Sequence, residues 1–194
     1  MRNDDGVLAG LAGLTAEPPE GLLDRIAARW VRLPGPIGDL FVASTDAGVA
    51  FLRTTASVGD DSGAFAARFR RRMTRPLLPG DAPPAGVLPA LRTGRTGDLR
   101  LDLSGLSGFE RDVLLAASTI PRGQVRPYAW IAKEIGNPKA VRAVGSALGR
   151  NPVPLLIPCH RVVRSDGAAG AYIFGPDAKL QLLDAEGAGL PGRS

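Results

Sequence analysis

Cys159, His160 and Arg161 stand together in the segment Pro152-Val-Pro-Leu-Leu-Ile-Pro-Cys-His-Arg-Val-Val163. The chain has one Cys and one His, so this is the single place where a thiol and an imidazole are neighbours. A thiol beside an imidazole and a guanidinium can be held as thiolate, the nucleophilic form of sulfur. Pro158 restrains the chain entering that position. The plain alternative is a small buried hydrophobe after an apolar run; the adjacent base and cation favour a reactive thiol. Adjacent residues of an extended segment point to opposite faces, so contact between Cys159 and His160 requires a local turn or a bridging water.

The same counts exclude other chemistry. One Cys cannot form an intramolecular disulfide, and one Cys with one His leaves too few ligands for Cys/His zinc binding. No acidic cluster suggests a carboxylate metal site.

The charge pattern favours a polyanion partner. Net charge is +5, and residues 1–104 hold 13 basic and 12 acidic side chains against 11 and 7 in residues 105–194. Within residues 120–164 there are eight Lys/Arg and one acid, Glu134. Such a local field favours an anionic partner, although a solvated basic face has the same composition. Residues 138–149, Pro-Lys-Ala-Val-Arg-Ala-Val-Gly-Ser-Ala-Leu-Gly, are dominated by small side chains such as Ala143 and Gly145, with Lys139 and Arg142 projecting from them. A thin helix carrying one long cation can enter a narrow groove and insert a side chain. Close packing against another helix would select the same small residues. Five Arg between Arg68 and Arg75 read as a solvated helix face in preference to a nucleic-acid patch.

These residues need elements to hold them. Residues 1–20 read as a loose extension, and Gly21 to Trp30 has helical apolar spacing behind Pro18-Pro19. Asp39–Ser44 and Val49–Arg53 form a predicted hairpin around Asp46-Ala47-Gly48. A helix is predicted over 63–75, a Gly/Pro-rich linker over 76–97 and a strand over Leu99–Leu103. Phe109–Ser118 and Ala129–Ile135 read as helices, and a third runs from Pro138 in its first turn to about Gly149. A short helix, a Gly-containing turn and a second helix make the helix-turn-helix pattern.

Hydrophobic residues at 44% suffice for a packed core in 194 residues, and aromatics at 5% predict an aliphatic, alanine-rich one. No apolar run reaches membrane-spanning length, and the N-terminus lacks the basic region of a signal peptide. A cytoplasmic protein with a reduced thiol and no membrane partner is expected.

Pro158-Cys-His-Arg-Val162 resembles the active-site signature of the O6-alkylguanine-DNA alkyltransferases, the methylated-DNA–protein-cysteine methyltransferases. The resemblance runs ungapped from Gly136-Asn-Pro-Lys-Ala140 to that signature and covers nearly the whole chain beyond about residue 33. It implies an α/β protein with an N-terminal extension (1–30), a small ribonuclease-H-like domain (31–103, including the linker) and a mainly helical helix-turn-helix domain (104–190).

By that resemblance Cys159 is the alkyl acceptor, His160 its base through a water, Glu186 the carboxylate orienting the imidazole, and Tyr128 the phenol that donates to the leaving guanine. Arg142 fills the space of the flipped nucleotide, and Asn151 ties the recognition helix to the active-site loop. Lys139, Ala143, Gly145 and Arg161 join the DNA-binding set. Pro154, Tyr172, Ile173 and Phe174 form the substrate pocket. Taken singly, Tyr128 also fits a core aromatic, Asn151 a turn residue and Glu186 a solvated carboxylate.

The implied partner is double-stranded DNA containing O6-alkylguanine, with no metal and no organic cofactor. A monomer is expected, and clustering along DNA is left open. Ile173-Phe174 depart from the small, polar or basic residues that often follow the pocket tyrosine, which makes the rim apolar. The zinc ligands of some relatives and a second acceptor cysteine are missing. Two rivals remain: a lesion-binding protein without transfer activity, whose type lacks the acceptor cysteine, and a transcriptional regulator, which would need an effector domain.

Overall fold

The computed structural model describes residues 26–189. Four strands make one sheet: β1 (Ala28–Leu33), β2 (Leu40–Thr45), β3 (Gly48–Thr54) and β4 (Leu77–Pro79), in the order β3-β2-β1-β4. β1–β2 and β2–β3 are antiparallel, and β4 runs parallel to β1. The hairpin around Asp46-Ala47-Gly48 forms as expected.

Alternation along β2 divides the protein interior in two. Leu40 and Val42 face one core, and Phe41 and Ala43 the other. On β3, Ala43 pairs with Phe51 and Ser44 with Val49, so Ala50 is an extra residue in the ladder. This bulge lets Val49 and Leu52 share the first core while Ala50 and Phe51 join the second.

The first core is aliphatic, as expected, whereas the second gathers Phe41, Phe51, Phe65 and Phe69. α1 (Ser62–Arg70) lays Phe65 and Phe69 on the sheet, with Phe65 ring centroids 5.3 Å from Phe41 and 5.4 Å from Phe51. Few aromatics are present, but they are gathered here, and each buried ring contributes about 1.5–3 kcal/mol.

Three expectations for this half are corrected. Ala28–Trp30 is strand, not the end of a helix: Ala28 is buried and Arg29 exposed, and pairing with β2 and β4 on both sides overrides the helical spacing. The earlier part of that expected helix, Gly21–Arg25, lies outside the described residues, as does the extension. The linker carries structure, namely β4 and α2 (Val87–Thr93), whose Val87, Ala90 and Leu91 are buried. Leu99–Leu103 contributes only a bridge between Leu101 and Val49, because residues 100–102 merely cap the β3 edge.

The other half is helical. α3 (Gly108–Ser118) begins with a capping box, the Ser107 hydroxyl accepting from the Glu110 N–H at 3.3 Å while the Glu110 carboxylate accepts from the Ser107 N–H at 3.1 Å. It is followed by β5 (Arg126–Pro127), α4 (Tyr128–Glu134), α5 (Val141–Gly149), β6 (Val162–Val163) and α6 (Pro176–Ala185). α5 starts at Val141, later than expected. Residues 137–140 close their own turn, the Ala140 N–H donating to the Asn137 carbonyl at 3.0 Å, so Pro138 precedes the helix. Val113, Leu114, Val144, Ala147 and Ile157 share a core with Leu40, Val42 and Leu52. The Leu52 N–H also donates to the Pro152 carbonyl at 2.8 Å, joining the sheet edge to the loop before Cys159.

Candidate active site

The loop from Asn151 to Pro158 leaves α5 and delivers the thiol. Asn151 is fully buried, and its amide serves three atoms: Nδ2 donates to the Ile157 carbonyl at 3.0 Å and to Cys159 Sγ at 3.2 Å, and Oδ1 accepts from the Val153 N–H at 3.0 Å. Leu155 sits at φ 75°, in the left-handed region, where a branched side chain costs about 1–3 kcal/mol. The Ile157 N–H closes back onto the Val153 carbonyl at 2.9 Å. Pro154 is buried and bridges to Ile157 instead of facing the expected substrate pocket, because the loop folds on itself.

Cys159–Arg161 form a single 3-10 turn, the bend that an extended strand would lack. Across it the side chains diverge. Cys159 lines a cavity of about 470 Å³, and His160 lines a recess of about 70 Å³ that it shares with Glu186. Burial pushes the thiol pKa up, and Asn151, Lys179 and Arg53 pull it back.

His160 Nε2 lies 3.2 Å from Glu186 Oε1, whereas its Nδ1 is buried with no partner. Arg161 also holds that carboxylate, donating from Nε at 2.9 Å and from a terminal nitrogen at 2.7 Å. Burial opposes the ionised Glu186, but bonds from His160 and Arg161 outweigh it, and its pKa falls to about 2. With Glu186 ionised, Nε2 carries the proton and Nδ1 is left as the acceptor. Burial also lowers the His160 pKa, so the imidazole is neutral at rest.

Arg161 was expected to touch DNA, and this is corrected. It is 2% exposed, and its remaining donors go to the Ile120 carbonyl at 2.7 Å and the Gly94 carbonyl at 3.3 Å. A guanidinium this enclosed holds the Glu186 carboxylate and cannot reach a phosphate. Asn151, grouped with the DNA-binding residues, is likewise interior, and its amide bonds within the thiol loop.

The large cavity is walled by α4, α5 and the loop before α6. Tyr128 opens α4, and Tyr172 and Ile173 come from the loop. A side chain at Gly170 would meet the Tyr128 hydroxyl at 3.1 Å, and Gly170 stands at φ 74°, so glycine permits this approach. Burial and Cys159 raise the Tyr128 pKa, which keeps the phenol protonated. The Tyr172 hydroxyl is buried without a partner. Phe174, expected in the pocket, packs edge-on to Tyr172 at 5.5 Å and against the first core, while Tyr172 and Ile173 line the cavity.

Arg142, Gly145, Ser146 and Gly149 form the lip from α5. Arg142 and Ala143 are exposed on this face, and Lys139 is exposed in the preceding turn. The sequence places Ser146, Leu148 and Gly149 on the thin helix but not in the pocket, and it does not single out Ala171 in the cavity, Lys179 beside it or Arg53 next to the loop. Lys179 had a signal: it stands three and four residues before Leu182 and Leu183, on the buried face of α6.

A family model for the 6-O-methylguanine DNA methyltransferase DNA binding domain matches residues 108–188, from α3 to just past Glu186. The methylated-DNA–protein-cysteine methyltransferase of Methanosarcina acetivorans is 38% identical over 156 residues, which is 78% of this chain and 94% of that protein. This chain belongs to that family.

Other members align over less. The Methanothermobacter thermautotrophicus methyltransferase is 46% identical over 93 residues, 48% of this chain and 52% of its own length. The bifunctional transcriptional activator/DNA repair enzyme Ada of Escherichia coli is 33% identical over 90% of this chain and 49% of its own length. The chain thus spans about half the length of several methyltransferase-family relatives that it matches. Among solved structures, the Mycobacterium tuberculosis O6-methylguanine methyltransferase has a TM-score of 0.67 at 30% identity, covering 86% of this chain and 96% of its own. The OGT of the same organism in complex with DNA has a TM-score of 0.66 at 32% identity, covering 81% and 92%.

Proposed function

We infer that this protein repairs DNA by taking the alkyl group of O6-alkylguanine onto its own Cys159, once and irreversibly. The observation that carries this reading is a lone thiol at the wall of a cavity of about 470 Å³, rimmed by the exposed face of α5.

A thiol cannot reach O6 inside stacked duplex, so the damaged nucleotide must swing out into the cavity. α4, the turn after it and α5 act as a helix-turn-helix within residues 104–190. Small residues at Ala143, Gly145 and Gly149 bring the α5 backbone close to the minor groove, Arg142 fills the vacated stack, and Lys139 contributes phosphate affinity that does not read sequence. Residues 31–103 form the ribonuclease-H-like part, which supports the thiol loop through β3.

The chemistry needs only side chains. The Cys159 proton passes through one water to Nδ1 of His160, and Glu186 stabilises the imidazolium. The thiolate attacks the alkyl carbon; an S–C bond forms and the C–O6 bond breaks, its electron pair moving to the purine. Tyr128 donates its proton to the departing guanine and is reprotonated through water as the His160 imidazolium gives up the proton taken from Cys159. The thioether stays on the protein, and the apolar wall of Tyr172 and Ile173 receives the alkyl group.

Cys159→Ala tests the reading. It should retain gel-shift affinity for duplex carrying O6-methylguanine and transfer nothing. Residual transfer in that variant overturns it.

A further inference from the structure

Lys179 is fully buried, which lysine tolerates only with partners. Its Nζ donates to the Val162 carbonyl at 2.6 Å, just past the Cys159 turn, and to the Ala171 carbonyl at 3.3 Å, on the cavity wall. It stands 5.9 Å from the Tyr128 ring centroid. These contacts give the ammonium carbonyl dipoles and a ring face but no anionic partner. No carboxylate bonds to Lys179 among the described residues, and Glu186 is already held by Arg161 and His160.

Charge counting then points one way. Arg161 and Glu186 neutralise each other, His160 is neutral at rest, and the phenols of Tyr128 and Tyr172 are protonated. Lys179 is left as a surplus buried cation. From β3, the Arg53 guanidinium donates to the Pro152 carbonyl of the thiol loop at 3.1 Å and also interacts favourably with the thiolate. A buried cation without an acid is costly, and a nearby anion relieves that cost.

We propose that Lys179 is the buried counter-ion of the Cys159 thiolate and the positioning residue that holds the thiol turn against the opposite cavity wall. The proposal rests on Cys159 being the reactive group. Burial presses the lysine pKa down to about 8, and its interaction with Cys159 opposes that fall. The same interaction draws the thiol pKa down against its own burial. When sulfur becomes a neutral thioether, Lys179 loses its counter-ion.

Iodoacetamide tests this without DNA or alkylguanine, so its outcome is separate from that of the repair reading. The rate of Cys159 carboxamidomethylation is followed by intact mass across the pH range in which thiols titrate. Lys179→Met should move the profile up by about one pH unit, an about tenfold loss of thiolate at neutral pH. Lys179→Arg, which keeps the charge, should stay nearer the wild type. A folded Met variant with an unshifted profile, or a loss equal at every pH, overturns the proposal. The wild-type protein gives a second readout. The Lys179 Cε resonance should titrate at lower pH after Cys159 is carboxamidomethylated, and an unchanged midpoint also overturns it.

Discussion

Arg161 grips Glu186 with two donors, at 2.9 and 2.7 Å, on the carboxylate that His160 also contacts. A single acid thus holds a buried cation and contacts the imidazole; in the proposed chemistry it also orients the base. Glu186→Gln should remove both functions. It leaves the Arg161 charge buried and unbalanced, a change that costs about 3–5 kcal/mol in comparable sites. Urea unfolding should show that loss, and transfer from alkylated duplex should slow in the protein that remains folded. A variant as stable as the wild type would show that the carboxylate charge does not matter there.

Acid should destabilise the protein in two stages. Buried His160 has a pKa below its ordinary 6.5, so its neutral form contributes stability above that value and the contribution declines as pH falls below it. Glu186 is held at about 2 against an ordinary 4.5, so its contribution is complete above 4.5 and is lost as pH falls through about 2. In both cases the unfolded chain binds more protons, and stability rises with pH. The Glu186 part amounts to roughly 3 kcal/mol. Urea midpoints measured from neutral pH downward should decline, first in the histidine range and then more steeply below the ordinary carboxylate range. A flat midpoint across both ranges would contradict the buried neutral-base assignment.

Arg142→Ala should separate extrusion from chemistry. Arg142 is exposed at the lip of the cavity that Cys159 lines. Extruding a nucleotide costs a few kcal/mol, so losing the filler should slow repair of duplex by about tenfold or more. Reaction with free O6-alkylguanine base should change little. Single-turnover rates on both substrates decide it, and equal slowing would remove the gap-filling role.

Much of this site was legible because its residues are close in sequence or follow strong periodic patterns. Cys159, His160 and Arg161 are consecutive, and α3, α4 and α5 announce themselves by apolar spacing. Relations across the chain were less visible. Nothing local in Arg161 shows that its partners are Ile120, Gly94 and Glu186, so it resembled a surface cation. Ala28–Trp30, the start of β1, falls in a helical pattern because its pairing partners come from β2 and β4, far along the chain. α2 was hidden by surrounding Gly and Pro, yet its end delivers the Gly94 carbonyl to Arg161. Lys179 shows its place only once the burial of its helix face is known.

The most direct test of the central claim is intact mass, followed by peptide mapping, after incubation with duplex containing O6-methylguanine. One methyl group should appear on the peptide containing Cys159, at one per protein molecule, with guanine restored in the DNA. A protein that leaves the lesion intact and its own mass unchanged, or that carries the methyl group on another residue, would contradict the account.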